Sequence, residues 1–439
     1  MRHVDLALTA AYVIPVEPAG VLRGHTVLVD GGRIVAVEPP EVAARDYLPR
    51  ARVDLPRHAL LPGLVNAHTH AAMSLMRGIA DDLHLEDWLR DHIWPREARF
   101  VTPEFVHDGV LLAAYEMLTG GITCCNDMYF YPDAAARAYQ AAGLRAVLGL
   151  PVLDFPTPYA SDGDAYLQAG LAARDAFRHA PRLGFMIAPH APYTVGDATF
   201  AKIVTYARQL DLPIQTHVQE TQSELATSLQ SSGESPLARL DRLGATGPGF
   251  VAIHAVHLAP GDLERLAAQG CSVVHCPASN MKLASGIAPV SAFLAGGINV
   301  ALGTDGAASN NRLDLFAEMR FASLLAKVAT GDAAALPAAE VLRMATIGGA
   351  RALSLDDRIG SIVAGKDADL IAVDMGELAD APVYDPVSHL VHVSSRERVT
   401  DVWASGERVV RERRLTTVDA AALGGRVGLW QQRLQQVNR

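Results

Sequence analysis

Between residues 61 and 354 short apolar runs alternate with longer segments of helical spacing, and the alternation carries through eight runs. The runs that read as strands are 63–67, 121–126, 145–151, 183–188, 213–217, 250–254, 272–275 and 299–303. Helical stretches at 103–119, 133–142, 165–179, 198–209, 261–269 and 311–328 separate most of them. Parallel neighbours need crossovers of about a dozen residues or more, usually helical. Eight runs joined this way predict an α/β chain with a (β/α)8 TIM-type barrel rather than an open sheet.

The two ends follow another pattern. HTVLV from His25 and RIVAV from Arg33 flank Asp30, Gly31 and Gly32, a hairpin signal. Near the other end DLIAV from Asp369 and VTDVWA from Val399 alternate with turns. Neither end holds enough strands for a core of its own. They are therefore expected to meet in one small composite β domain, residues 1–60 and 355–439, with a helix near 418–436. Residues 61–354 are expected to form the barrel.

A net charge of −10 with no Lys/Arg block argues against a nucleic-acid partner and for a small-molecule one. No apolar run reaches the length of a membrane span, and the first residues, with Asp5 among them, do not read as a secretory signal. Cys124, Cys125, Cys271 and Cys276 lack the spacing of a structural zinc site and read as buried thiols in a reducing cytoplasm.

His68, His70, His190, His217, His254 and Asp305 all fall at the ends of predicted strands. In such a barrel those ends open into one mouth, where active sites are built. His68 and His70 point the same way from an extended strand, because side-chain direction repeats every two residues. With His217 and Asp305 they make three nitrogens and one oxygen, a set suited to Zn2+ or Fe2+ with room for water. No lysine ends the fourth run, which argues for one metal rather than two bridged by a carbamylated lysine. Glu220, three residues after His217, is placed to serve as general acid/base, and His254 to orient or deprotonate the water. His257 has less claim and is left out.

The segments PGLVNAHTH (Pro62 to His70), HVQET (from His217), HCPASNMKL (from His275) and LGTDGAASN (from Leu302) resemble the amidohydrolase superfamily. More narrowly they resemble its 5′-methylthioadenosine/S-adenosylhomocysteine deaminases, and the likeness runs over essentially the whole chain, including GSIVAGKDADL from Gly360. The resemblance implies metal ligands His68, His70, His217 and Asp305, a proton-shuttling Glu220 that also meets the purine edge, and a water-contacting His254. It further implies that Glu97 binds the ribose hydroxyls, that His190 contacts the nucleoside and that Trp88 walls the pocket. The implied reaction is hydrolytic deamination of an adenine nucleoside, 5′-methylthioadenosine foremost, with adenosine or S-adenosylhomocysteine as further substrates. Guanine deaminases and triazine hydrolases share much of the framework and supply the alternative. Some family members carry an arginine between the third and fourth strands that meets the substrate's tail. The stretch from Leu153 to Tyr159 has no equivalent, which favours the compact methylthio nucleoside over S-adenosylhomocysteine. The resemblance is compatible with a homo-oligomer.

Overall fold

The computed structural model describes residues 1–436. Eight parallel strands follow one another around the barrel in chain order: Leu64–Thr69, Ile122–Met128, Arg145–Val152, Leu183–Pro189, Ile214–Val218, Phe250–His254, Ser272–His275 and Asn299–Leu302. Each begins and ends within two residues of its sequence expectation. The reason is composition: the runs are buried on both faces, so they read as unbroken apolar stretches rather than alternating ones.

The ring closes between its first and last strands through a few directed bonds. The Asp305 N–H donates to the His68 carbonyl at 3.1 Å, and the Thr304 N–H donates to Asn66 Oδ1 at 2.9 Å. Gly303 sits on this seam because a Cβ there would lie 3.0 Å from the His68 nitrogen.

The chain ends build a separate nine-stranded sheet. Thr26–Asp30 and Arg33–Glu38 pair antiparallel across Gly31 and Gly32, as the hairpin signal predicted. At its centre Tyr47–Pro62 runs parallel to Arg2–Val13 on one side and antiparallel to Leu370–Asp374 on the other. Tyr47–Pro62 hands the chain to the barrel at Gly63, where a Cβ would lie 2.0 Å from Thr123 Oγ1. The last helix, Ala420–Gln435, packs on the barrel helix Pro103–Thr119: Trp430 meets Phe105 edge to face at 5.2 Å and donates from Nε1 to Asp108.

Several helices escaped the sequence reading, namely Leu85–Trp88 running into Trp94–Phe100, Gln222–Ser232, Pro236–Arg242 and Pro277–Lys282. Most are short or begin at a proline, and Gln222–Ser232 buries only Leu225, so none shows an apolar face long enough to stand out. Among the described residues no helix is long and apolar enough to cross a membrane. All four cysteines are free and buried.

Arg145, at the closed end of the barrel, joins the two parts. Its guanidinium bonds Asp369 at 3.0 Å and Asp367 at 2.8 Å, and all three side chains are buried. Removing one partner of such a pair strands the other charges away from water. Arg145→Ala is therefore expected to cost about 3–5 kcal/mol of stability, read by urea unfolding of the full chain.

Candidate active site

Every strand end named in the sequence reading opens at one mouth of the barrel. His70, His217, Glu220, His254, Asp305, Glu97, His190 and Trp88 line a single pocket of about 300 Å3. His68 lies beneath them, wholly buried.

Four of these groups converge. His68 Nε2 is 3.1 Å from His217 Nε2 and 3.5 Å from Asp305 Oδ1, and His70 Nε2 is 3.2 Å from the same oxygen. Two of the imidazoles are fixed in tautomer by backbone: His70 Nδ1–H donates to the Met128 carbonyl at 2.6 Å and His217 Nδ1–H to the His190 carbonyl at 2.8 Å. Their Nε2 lone pairs therefore face the cluster, as metal-bound histidines require. Burial pushes the His68 imidazole down to about 4, and holds His217 well below the ordinary histidine range, so both are neutral near pH 7. For His70 burial acts the same way, but Asp305 and the Met128 carbonyl outweigh it and leave it raised. Burial pushes the Asp305 carboxyl up, yet its bonds to His68 and His70 hold it well below the usual carboxylate range. Three imidazole nitrogens and one anionic oxygen packed this closely form a donor set that fits a divalent cation, which would displace a proton held between His70 and Asp305.

The geometry also groups His254 with His68 and His217 around a candidate ion position. His254 differs in its partners. Its Nδ1–H donates to Asn280 Oδ1 at 2.9 Å, and its Nε2 lies 3.8 Å from Glu220 Oε2. That pairing turns it toward the acid/base side of the pocket.

Backbone strain marks the same places. Gln219, His254, Ala255 and Asp305 have φ of 52°, 71°, 44° and 57°, a region that non-glycine residues seldom occupy. Each turns its chain out of the strand at the barrel mouth, at a cost of about 1–3 kcal/mol by the usual scale of such strain.

Several contributors were not legible before the structure. Ser279 and Ser309 both donate to Asp305 Oδ2 at 2.6 Å, which leaves Oδ1 to the imidazoles. Ser285 donates to Glu220 Oε1 at 3.1 Å, and the Glu220 N–H donates to Glu224 at 3.0 Å. Ser279 and Asn280 stand inside the segment from His275 that carried the family resemblance, so the signal was present but their partners were not.

Elsewhere in the pocket lining Tyr129 OH donates to Glu97 Oε1 at 2.7 Å, and burial pushes the Glu97 carboxyl up to about 7. Burial also takes His190 down to about 4, keeping it neutral. Trp88 is anchored by its Nε1–H bond to the Ile79 carbonyl at 3.2 Å. Phe130, Leu153, Phe155, Pro156 and Pro158 add apolar surface to the lining.

Comparison with known proteins agrees with this geometry. The sequence pattern of the amidohydrolase family matches residues 59–409. A 5-methylthioadenosine/S-adenosylhomocysteine deaminase of Teredinibacter turnerae is 45% identical over 432 residues, 98% of each chain. A 5′-deoxyadenosine deaminase of Methanosarcina mazei is 41% identical over 94% of this chain and 95% of its own. Among solved structures, an adenosine deaminase from Xanthomonas campestris with bound zinc superposes with a TM-score of 0.98 at 47% identity, covering 99% of both chains.

The donor set makes a direct prediction. After dialysis, elemental analysis is expected to find about one divalent ion per chain in the parent protein, and less than about a tenth of that in His217→Ala. Equal content in both would remove His217 from the ligand set.

Proposed function

This chain belongs to the amidohydrolase family, and we propose that it is a deaminase of adenine nucleosides with 5′-methylthioadenosine as its preferred substrate. The family is one of metal-dependent hydrolases, and the deaminase-named relatives share nearly the full length of this chain. The observation that carries the reading is Glu220. It stands 3.8 Å from His254 in the pocket that holds the three-imidazole and carboxylate cluster, and the same pocket offers Glu97 and apolar surface.

We assign His68, His70, His217 and Asp305 as ligands of one zinc ion. When bound, the ion supplies the Lewis acidity that lowers the pKa of a water from 15.7 to about 7. The remaining work falls to the chain. Glu220 gives a proton to N1 of the adenine ring, which makes C6 electrophilic. His254 and Asp305 accept protons from the attacking water as its oxygen bonds to C6. Collapse of the tetrahedral carbon breaks the C6–N bond and expels ammonia. One water proton leaves on that ammonia, the other returns to Glu220, and the proton on N1 stays in the inosine-type product. Each transfer of this kind contributes about 10²–10⁴-fold.

Glu97 accepts hydrogen bonds from the ribose hydroxyls, His190 contacts the nucleoside, and Trp88 forms a wall. The apolar surface from Phe130 to Pro158 suits a methylthio group, and no Lys or Arg stands among the described residues lining the pocket. A zwitterionic amino-acid tail in that position would lose its hydration without a counter-charge.

The test is ammonia release by zinc-loaded protein on 5′-methylthioadenosine, adenosine, S-adenosylhomocysteine and guanine side by side. The methylthio nucleoside is expected to be fastest, with kcat/KM for the charged homologue at least about tenfold lower, a difference of about 1.4 kcal/mol. Turnover of guanine or a chlorotriazine in place of the nucleosides would overturn the substrate class. In the same assay Glu97→Gln is expected to raise KM about 10–100-fold for ribonucleosides, the scale of a lost bond to a charged group. It should leave a 2′,3′-dideoxy analogue unchanged.

A further inference from the structure

One short stretch, from Pro277 to Ser285, reaches three of the groups that handle protons. Ser279 Oγ donates to Asp305 Oδ2 at 2.6 Å, Asn280 Oδ1 accepts from His254 Nδ1 at 2.9 Å, and Ser285 Oγ donates to Glu220 Oε1 at 3.1 Å. All three side chains on the stretch are buried.

The stretch is held by bonds that do not use those side chains. The Ala278 N–H donates to Glu318 Oε2 at 3.0 Å, and the Ser285 N–H donates to the Asn280 carbonyl at 2.9 Å. His257 Nε2–H donates to the Ser285 carbonyl at 2.6 Å. Lys282 ties the outer side to Asp81 at 2.7 Å and Asn311 at 2.6 Å. The Ser285 hydroxyl is therefore not what keeps this loop in place.

From this arrangement we propose that Ser285 is a positioning residue that decides which oxygen of Glu220 carries the transferred proton. A hydroxyl hydrogen directed at Oε1 occupies the lone pair a proton would take. The free oxygen is Oε2, the one 3.8 Å from His254 Nε2. Ser285 thus stops the carboxylate from turning and keeps its working oxygen on the side of the attacking water. His257 acts one step further out, by holding the Ser285 backbone. This inference rests on the reading of Glu220 as the acid/base group.

The experiment compares Ser285→Ala, Ser285→Thr, Glu220→Gln and the Ser285→Ala/Glu220→Gln double variant, each as zinc-loaded full-length protein on 5′-methylthioadenosine. For Ser285→Ala, kcat is expected to fall at least about tenfold with KM and zinc content unchanged, the scale of a misplaced catalytic group. Ser285→Thr, which keeps the hydroxyl, should recover most of the loss. Glu220→Gln should retain zinc and lose at least about a hundredfold. In that background Ser285→Ala should add less than about twofold, because the two residues act as one unit. Additive losses, or a normal kcat for Ser285→Ala beside an impaired Glu220→Gln, would overturn the proposal. Normal turnover by Glu220→Gln would instead remove the glutamate itself, and Ser285 with it.

Discussion

The hydrogen bond from the Asp305 N–H to the His68 carbonyl closes the barrel, and the candidate metal cluster depends on that closure. Eight strands can curl into a ring only if the last finds the first. Here they meet at His68 and Asp305, two of the proposed metal ligands. Thr69 Oγ1 reinforces the seam by donating to the Asp305 carbonyl at 2.9 Å. With both backbones pinned, the Asp305 carboxylate has little choice but to face the imidazoles of His68 and His70. A seam one residue out of register would turn these side chains into the strand-helix interface.

Bringing three imidazoles and a carboxylate together below the surface is costly unless something compensates. The structure answers in layers. Backbone carbonyls take the outer hydrogens of His70 and His217, and two serines take the second oxygen of Asp305. A divalent ion would satisfy what these leave over. The left-handed turns at Gln219, His254 and Asp305 belong to the same pattern, since strain persists only where the surroundings over-determine it.

Most of the barrel was legible in the sequence because buried parallel strands leave an unbroken apolar signature and helices a wide one. His68 and His70 were legible too, since a spacing of two on a strand has one geometric meaning. Glu220 could be placed from its distance to His217 and the turn between them. Ser279, Asn280, Ser285 and Ser309 could not, although three of them lie inside segments already singled out. A serine's role is set by what stands opposite it, and the helix Pro277–Lys282 that presents Ser279 and Asn280 is only six residues long. The helical turns from Leu85 to Phe100, which carry Trp88 and Glu97, were missed for a related reason: a π-helical stretch, Leu89–Ile93, interrupts their period.

The apolar surface of the pocket, around Leu153, Phe155, Pro156 and Pro158, comes from loops that share no hydrogen bond with the metal cluster, Glu220 or the stretch from Pro277 to Ser285 among the bonds described. On the proposed reading, substrate choice and bond-breaking would thus be carried by different parts of the chain. Mutations in the first can accumulate without touching the second. If that reading holds, a lineage could change the 5′ group it accepts by editing a handful of loop positions, while the ring assigned to the hydrolysis is inherited intact.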